Sequence, residues 1–160
     1  MAAPQLPVVD VMVILERDDG QVLLAERANT GYGDGMFNLP SGKVEEGESV
    51  TEAAVREAEE EVGAVIDPDD LRTVHVMHHR APEGHTRIGW FMATSRWKGE
   101  PVNREPEKCA GLLWVEPSAL PENTVPYNAD GITAYVKGEP HSVNGWPDAP
   151  SEPHERNWHG

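Results

Sequence analysis

The stretch that decides the fold is SGKVEEGESVTEAAVREAEEEVGA, residues Ser41–Ala64. Ser49 and Glu52 form the Ser-x-x-Glu pattern that begins many helices. Gly63 suits the left-handed conformation in which helices often end. The alanines between these signals favour helix, and their small side chains let a helix approach a sheet closely. We therefore predict one short helix here that packs against a sheet.

The last turns of this helix carry three acids, Glu57, Glu60 and Glu61. Residues three and four apart share a helix face, so these carboxylates converge, at a cost of about 0.2–0.5 kcal/mol per like-charged pair. They also lie at the negative end of the helix dipole, which costs roughly 0.3–1 kcal/mol each. No Lys or Arg follows within one turn. A segment that breaks two local rules at one place usually marks a functional site, and the acids favour a divalent metal.

Composition limits the possible functions. A chain of 160 residues fits one domain with a sizeable core. The net charge of −15 argues against a broad electrostatic grip on nucleic acid or an anionic membrane, but not against a small anion neutralised by metal. One cysteine, Cys109, cannot form an internal disulfide and favours a reducing compartment. We see no signal peptide and no membrane-spanning run. We expect a cytoplasmic protein with no nucleic-acid or membrane partner.

The segments around the acidic helix alternate between apolar runs and turn signals. Among these signals, Asp18-Asp19-Gly20 predicts a hairpin between the first two strands. A glycine-rich loop leads from the second strand into the helix, where it could line a pocket. We predict strands at Val8–Arg17, Val22–Glu26, Leu71–Arg80, Thr86–Trp97 and Leu112–Val115, and a terminal helix at Asn128–Val136. We place one domain at residues 1–137. Residues 138–160 are rich in Pro, His and Gly, and we expect a tail that is flexible or packed only through Trp146 or Trp158.

Written with its spacing, the central stretch is Gly42, five residues, Glu48, seven residues, and then REAEEEVGA from Arg56 to Ala64. This pattern resembles the Nudix box, G-x5-E-x7-R-E-U-x-E-E-x-G-U, in which U is an aliphatic residue. Alanine fills two of the U positions. The resemblance implies an α/β fold, an α/β/α sandwich around a mixed sheet, and hydrolysis of a nucleoside diphosphate linked to another group.

The resemblance also implies roles for the acids. Glu57, Glu60 and Glu61 would hold Mg²⁺, or Mn²⁺ in its place, together with a backbone carbonyl at Ser41 or Gly42. Clustered carboxylates suit Mg²⁺, which prefers oxygen ligands and keeps several waters for substrate to replace. Arg56 would orient the glutamates and pair with Glu48. The family often has a second glycine where this chain has Ser41, a change that a backbone ligand tolerates.

Two questions stay open at this stage, the general base and the substrate. Either Glu61 or Glu107 could act as the general base, because Nudix enzymes often bring an acid from the loop that holds Glu107. Markers for the ADP-ribose, dinucleoside polyphosphate, NADH and coenzyme A subfamilies are absent near His78–Ala81 and elsewhere. What remains resembles the MutT-type nucleoside triphosphate pyrophosphohydrolases. On that analogy the base-binding candidates are Tyr32, Phe37, Asn38, Tyr127 and Asn128, which offer stacking and amide hydrogen bonds.

Two alternatives compete with this interpretation. The same chemistry could act on a nucleotide sugar or a non-nucleotide diphosphate. A Nudix-fold binding module without turnover is the other class, but such relatives typically lose box glutamates and this chain keeps them. Many family members form homodimers, and nothing in the sequence places such an interface. The three histidines of His75–His79 alternate across a strand, so we interpret them as strand residues and not as metal ligands.

Overall fold

A computed structural model describes residues 2–147 of the chain. These described residues form eight strands, two helices and a single 3₁₀ turn at Pro68–Asp70. The strands are β1 (Val8–Leu15), β2 (Val22–Arg27), β3 (Phe37–Asn38), β4 (Ser41–Lys43), β5 (Arg72–Arg80), β6 (Thr86–Thr94), β7 (Cys109–Val115) and β8 (His141–Asn144). The helices are α1 (Val50–Val62) and α2 (Pro126–Lys137). No helix in the described residues is long and apolar enough to cross a membrane.

The strands form a mixed five-stranded sheet in the order β4-β1-β6-β5-β8 and an antiparallel three-stranded sheet in the order β3-β2-β7. β1 runs parallel to β6, and β5 runs parallel to β8. The remaining pairs of the larger sheet are antiparallel. This confirms the predicted α/β class and mixed sheet.

Alternation along β1 builds the core on both faces of the sheet. Val11, Val13 and Leu15 belong to the apolar cluster that packs under α1. Met12 and Ile14 belong to the cluster that includes Ile132 of α2. Successive strand side chains point to opposite faces, so one apolar strand supplies both layers of a sandwich.

The predicted acidic helix forms with its predicted ends. The Ser49 side chain accepts a hydrogen bond from the Glu52 amide, and Gly63 adopts φ 72°. Its alanines Ala53, Ala54 and Ala58 are fully buried against the sheet. A row of small residues brings the helix axis close to β1 and β4, which places the acidic last turns beside the sheet edge.

Three parts of the structure differ from the sequence prediction. The turn at residues 18–20 forms, but the two strands it joins belong to different sheets. The predicted loop before α1 contains two short strands, β3 and β4. The expectation of a loose tail is wrong for its first part, because β8 pairs with β5. Three of its four residues are polar, so the sequence shows no apolar pattern that would predict this strand. Residues 148–160 of that tail, including Trp158, lie outside the described residues.

The histidines of β5 anchor β8. Fully buried His75 contacts the Glu139 carbonyl oxygen through Nδ1 and the Ser142 hydroxyl through Nε2, both at 2.7 Å. Trp146 donates to the His78 carbonyl oxygen at 3.0 Å and packs on the His78 ring. The histidines therefore have structural partners in the sheet, as the sequence interpretation held.

The close approach of α2 to the sheet gives a test of the fold. A methyl group on Gly131 would lie 2.1 Å from the Phe91 ring. We predict that Gly131→Ala lowers the free energy of unfolding by about 1–3 kcal/mol, because overpacking outweighs the roughly 1 kcal/mol gain in helix propensity. Denaturant unfolding measures this. Gly111→Ala is the control, since its methyl group meets no atom within 4 Å. A loss that is equal in both variants would contradict the prediction.

Candidate active site

The Arg56 guanidinium is the hub of the acidic helix. Its Nε and NH2 donate to the two carboxylate oxygens of Glu48 at 3.0 and 2.7 Å. Its NH1 donates to Glu57 at 2.7 Å and to Glu60 at 3.4 Å. Its NH2 also donates to the Lys43 carbonyl oxygen at 3.2 Å. The predicted Arg56–Glu48 pair therefore forms as a two-point contact. The bond from Arg56 to Lys43 joins the helix to β4.

Charge and burial set the state of these acids. Hydrogen bonds from Arg56 lower the pKa of Glu48 to about 2. Burial raises the pKa of Glu57, with Arg56 opposing the rise. Burial, followed by repulsion from Glu57, raises the pKa of Glu61 well above its ordinary value. Glu60 is more than half exposed. The site thus holds two carboxylates whose charged forms lack full compensation.

β4 meets the acidic helix at very short range. The Ser41 amide donates to Glu61 Oε2 at 2.9 Å. A methyl group on Gly42 would lie 2.1 Å from Glu57 Oε1, so any larger residue there would force the Glu57 carboxylate to move. Gly42 therefore serves the site through its missing side chain, and the Ser41–Gly42 backbone borders both acids.

The loop before β7 closes the end of the helix. Arg104 donates from its amide to the Glu61 carbonyl oxygen at 3.1 Å and from NH1 to the Glu59 carbonyl oxygen at 3.2 Å. A distant segment thus supplies the cation that the helix lacks after its last turn. The sequence pattern could not show this contact, because it depends on the tertiary fold.

The loop acid that faces the cluster is Glu105 and not Glu107. Half-buried Glu105 lines a cavity of about 690 Å³ together with Glu61, Gly42 and Cys109, and its charge contributes to the raised pKa of Glu61. Glu107 is exposed, and it does not line this cavity. The loop acid beside Glu61 thus lies two residues before Glu107, the acid expected from the sequence, because a loop without periodicity does not show which side chains face the site. We name this space the acidic cavity.

A second cavity of about 770 Å³ adjoins the first, and we name it the tyrosine cavity. Four of the five predicted base-binding residues line it: Tyr32, Asn38, Tyr127 and Asn128. Arg27, Asn38, Gly42 and Lys43 line both cavities. The two spaces therefore meet beside the Ser41–Gly42 backbone, and one elongated ligand could occupy both.

Phe37 is the predicted residue that the structure does not bring to the cavity. Its side chain packs against the core cluster under α2. Its backbone pairs with Asn123 and Val125. Because neighbouring side chains of β3 point to opposite faces, the Phe37 ring points to the core and Asn38 points to the cavity. The aromatic residue therefore contributes to core packing and does not line the base-binding cavity.

The predicted asparagine and tyrosine of α2 occupy fixed positions in the tyrosine cavity. Asn128 Oδ1 accepts from the Leu39 amide at 3.0 Å, and the residue is only 5% exposed. That bond sets the amide orientation and leaves its NH₂ group free to donate into the cavity. Tyr127 fits a notch at Gly89, where a methyl group would lie 2.0 Å from the phenol oxygen. Tyr32, 73% exposed, lies at the cavity mouth beside the Arg27 guanidinium.

The tyrosine cavity also contains charged residues that were not among the residues predicted from the sequence. Asp10 of β1 and Arg87 of β6 form an ion pair of 2.9 Å in its wall, and Lys43 and His79 lie nearby. The single acid inside the apolar run VVDVMVIL was the available signal.

The donor set fits a hard divalent cation. Three carboxylates and a strand backbone surround the end of α1, and burial already disfavours two of the charges. Within residues 2–147, no three His, Cys, Asp or Glu side chains are already gathered around one point, because Glu57 and Glu60 turn toward Arg56. The same carboxylates could rotate to meet an ion.

Comparison with known proteins agrees with the fold and the site. The NUDIX domain profile matches residues 6–135. The chain is 32% identical to the 8-oxo-dGTP diphosphatase of Escherichia coli over 92 residues, covering 58% of this chain and 69% of that protein. It is 31% identical to the RNA pyrophosphohydrolase of Erythrobacter litoralis over 143 residues, covering 78% and 85%. A solved MutT NUDIX hydrolase from Burkholderia pseudomallei superposes with TM-score 0.72 at 27% identity, covering 81% and 98%.

The fold and the acidic helix thus define a hydrolase that acts on pyrophosphate bonds. The chain belongs to the NUDIX domain family and is similar to its MutT-like members.

The Arg56–Glu48 contact gives a pH-dependent prediction. Because the pKa of Glu48 is lowered to about 2 in the folded chain, its contribution to stability is present above the unfolded pKa of about 4.3 and is lost as pH falls toward 2. We expect Glu48→Gln to be less stable than the parent at pH 7, with a difference that shrinks between pH 5 and pH 3. Denaturant unfolding across this range measures it. A difference that does not change with pH would contradict the assignment.

Proposed function

We propose that the protein is a Mg²⁺-dependent pyrophosphohydrolase of a canonical or modified nucleoside triphosphate, which releases pyrophosphate and a nucleoside monophosphate. The observation that carries this proposal is the junction of the two cavities at Gly42 and Lys43. One cavity offers carboxylates for a metal-bound polyphosphate, and the other offers tyrosines and an amide for a base. The single cysteine supports a cytoplasmic location.

The metal-holding residues in this proposal are Glu57, Glu60 and Glu61, with the carbonyl of Ser41. A bound Mg²⁺ would neutralise phosphate charge and lower the pKa of a coordinated water. Mn²⁺ could substitute, because it accepts the same oxygen ligands. Arg56 holds Glu57 and Glu60 in place, and its two-point contact with Glu48 fixes the guanidinium. Gly42 leaves the space that the Glu57 carboxylate needs.

The proton of the attacking water needs an acceptor. Glu61 is the first candidate, because it is buried beside Ser41 and its pKa is raised toward the range in which a carboxylate takes up a proton. Glu105 is the second, because it faces Glu61 across the acidic cavity. Glu105 therefore takes the place that the sequence analysis gave to Glu107.

The tyrosine cavity would hold the base and sugar. The Asn128 NH₂ group can donate to a ring nitrogen or carbonyl oxygen of the base. Tyr127 forms one wall, and Tyr32 at the mouth can stack on a bound ring. With its amide turned so that oxygen and nitrogen exchange places, Asn38 accepts from Arg27 NH1 at 3.2 Å and donates to the Ala25 carbonyl oxygen at 3.1 Å, and in this orientation it supports Arg27.

A second candidate substrate is a different diphosphate, such as a nucleotide sugar. The supporting observation is a relative named ADP-ribose pyrophosphatase from Methanocaldococcus jannaschii, 43% identical over 79 residues, which span 49% of this chain and 46% of that protein. Both candidates use the same acids, so only the contents of the tyrosine cavity distinguish them.

A substrate panel with Mg²⁺ tests the proposal. We expect pyrophosphate release from at least one nucleoside triphosphate, slower formation of a nucleoside monophosphate from ADP-ribose and other nucleotide sugars, and slower pyrophosphate release from a 5′-triphosphorylated oligonucleotide. Glu60→Gln and Glu61→Gln should reduce turnover by about 100-fold or more with unchanged thermal unfolding, because each removes a charged metal ligand. Full turnover in both variants would refute the metal assignment. Nucleotide binding without hydrolysis across the panel would favour the binding-module alternative.

The two loop acids form a matched pair for a separate prediction. Glu105→Gln should reduce kcat by about 10-fold or more, because Glu105 faces Glu61, whereas Glu107→Gln should leave kcat within twofold. Steady-state rates from pH 5 to pH 9 also show whether the acid limb of the profile moves in Glu105→Gln. The reverse order of effects would restore Glu107.

A further inference from the structure

Asp10 is an acid in an otherwise apolar strand. Strand alternation puts its side chain on the same face of the sheet as Met12, toward α2. The residue is only 9% exposed, and it lines the tyrosine cavity together with Tyr127 and Asn128. Its remaining accessible surface therefore faces that cavity.

Arg87 fixes the Asp10 carboxylate at one oxygen. Arg87 NH1 donates to Asp10 Oδ2 at 2.9 Å, from the neighbouring strand. In the described residues no hydrogen bond reaches Asp10 Oδ1. Among these residues, the Tyr127 hydroxyl is the one buried side-chain polar atom without a hydrogen-bond partner, so Asp10 Oδ1, which also has none, is not fully buried. Asp10 Oδ1 is therefore an accessible acceptor whose direction Arg87 sets.

Stability does not account for this pair. Burial raises the pKa of Asp10 even though Arg87, Lys43 and His79 act to lower it, so the charge is not fully compensated. Replacing a buried ion pair by apolar residues is often neutral or stabilising. Polar groups in a mostly apolar pocket usually orient a ligand and determine specificity. Asp10 and Arg87 fit this second role.

We propose that Asp10, positioned by Arg87, determines base specificity by accepting a hydrogen bond from an N–H group of the bound base. The proposal rests on the function proposed above and adds the chemical class of the base edge. That edge must carry an N–H donor for Asp10 Oδ1 and, elsewhere, an acceptor for the Asn128 NH₂ group. Purines with an amino group or a protonated ring nitrogen have such edges, whereas an analogue without the N–H leaves a buried charged acceptor unpaired.

The experiment measures binding of nucleoside 5′-monophosphates by calorimetry without metal, so that it does not depend on hydrolysis. The first set of probes is the monophosphates of guanosine, of inosine, which lacks the 2-amino group, and of N1-methylguanosine, which lacks the N1–H group. The second set is the monophosphates of adenosine and of purine riboside, which lacks the 6-amino group. Within one of these sets, the parent protein should bind the nucleotide that keeps the contacted N–H about 10- to 100-fold more tightly than the analogue that lacks it. Equal binding within both sets would overturn the proposal.

Asp10→Asn keeps the shape of the side chain. The Asn oxygen can still accept from Arg87, and its NH₂ group then faces the cavity as a donor. We expect the preference for the N–H nucleotide to fall below about threefold, with little change for the analogue. An unchanged preference in a folded Asp10→Asn protein would overturn the proposal. Arg87→Gln provides the decisive variant if Asp10→Asn does not fold, and it should reduce the same preference at least threefold.

Asp19→Asn is the matched control. Asp19 also pairs with an arginine, Arg17 at 3.0 Å, but on the exposed turn after β1. Its preference should equal that of the parent, and thermal unfolding of all variants reports folding. If base preference depends on Asp10 while no nucleotide is hydrolysed with Mg²⁺, the proposed function fails and the specificity assignment stands. If a nucleotide is hydrolysed with Mg²⁺ but base preference does not depend on Asp10, the proposed function stands and the specificity assignment fails.

Discussion

The contact on which the site depends is the fork of hydrogen bonds from Arg56 to Glu48 and Glu57. Without it, the last turns of α1 would expose several like charges beside the negative end of a helix dipole. Arg56 offsets part of that repulsion, and its bond to the Lys43 carbonyl oxygen joins the helix to β4. A lysine could not make this arrangement, because it lacks the planar fork that meets two carboxylates at once.

This contact needs a close approach of backbone to helix, which small residues provide. Ala53, Ala54 and Ala58 let α1 lie against the sheet, and Gly42 leaves space for the Glu57 carboxylate. The larger side chains packed under α1, among them Leu15, Leu23 and Met92, come from the strands and not from the helix. Bulk and charge are therefore separated, so the acidic helix gains its position from short side chains and its stability from the strands beneath it.

The parts of the molecule that local chemistry determines could be predicted from the sequence. The helix caps of α1 and the apolar run of β1 each depend on residues close in sequence. The Arg56–Glu48 pair was expected only from the resemblance to the Nudix box. The strand β8 could not be predicted, because it is held by pairing with β5 and by the contact of its Ser142 with His75, both between segments far apart in sequence. The facing of Glu105 and the inward turn of Phe37 depend on loop and strand geometry that no spacing encodes.

The distribution of charge connects the fold to the choice of ligand. A chain with net charge −15 repels anions at a distance, yet Arg27 and Lys43 line both cavities where they meet. These cations stand beside Gly42, between the carboxylates that suit a metal and the tyrosines that suit a ring. An anionic ligand is therefore favoured only near this junction, where a cation held by the carboxylates can share its charge. In the tyrosine cavity, Asp10 adds a negative charge to this cationic lining, and Arg87 donates a hydrogen bond to one of its carboxylate oxygens. In the role proposed for Asp10, the far end of the tyrosine cavity would accept a hydrogen-bond donor and disfavour a second phosphate, and the ligand would then have one direction within the site.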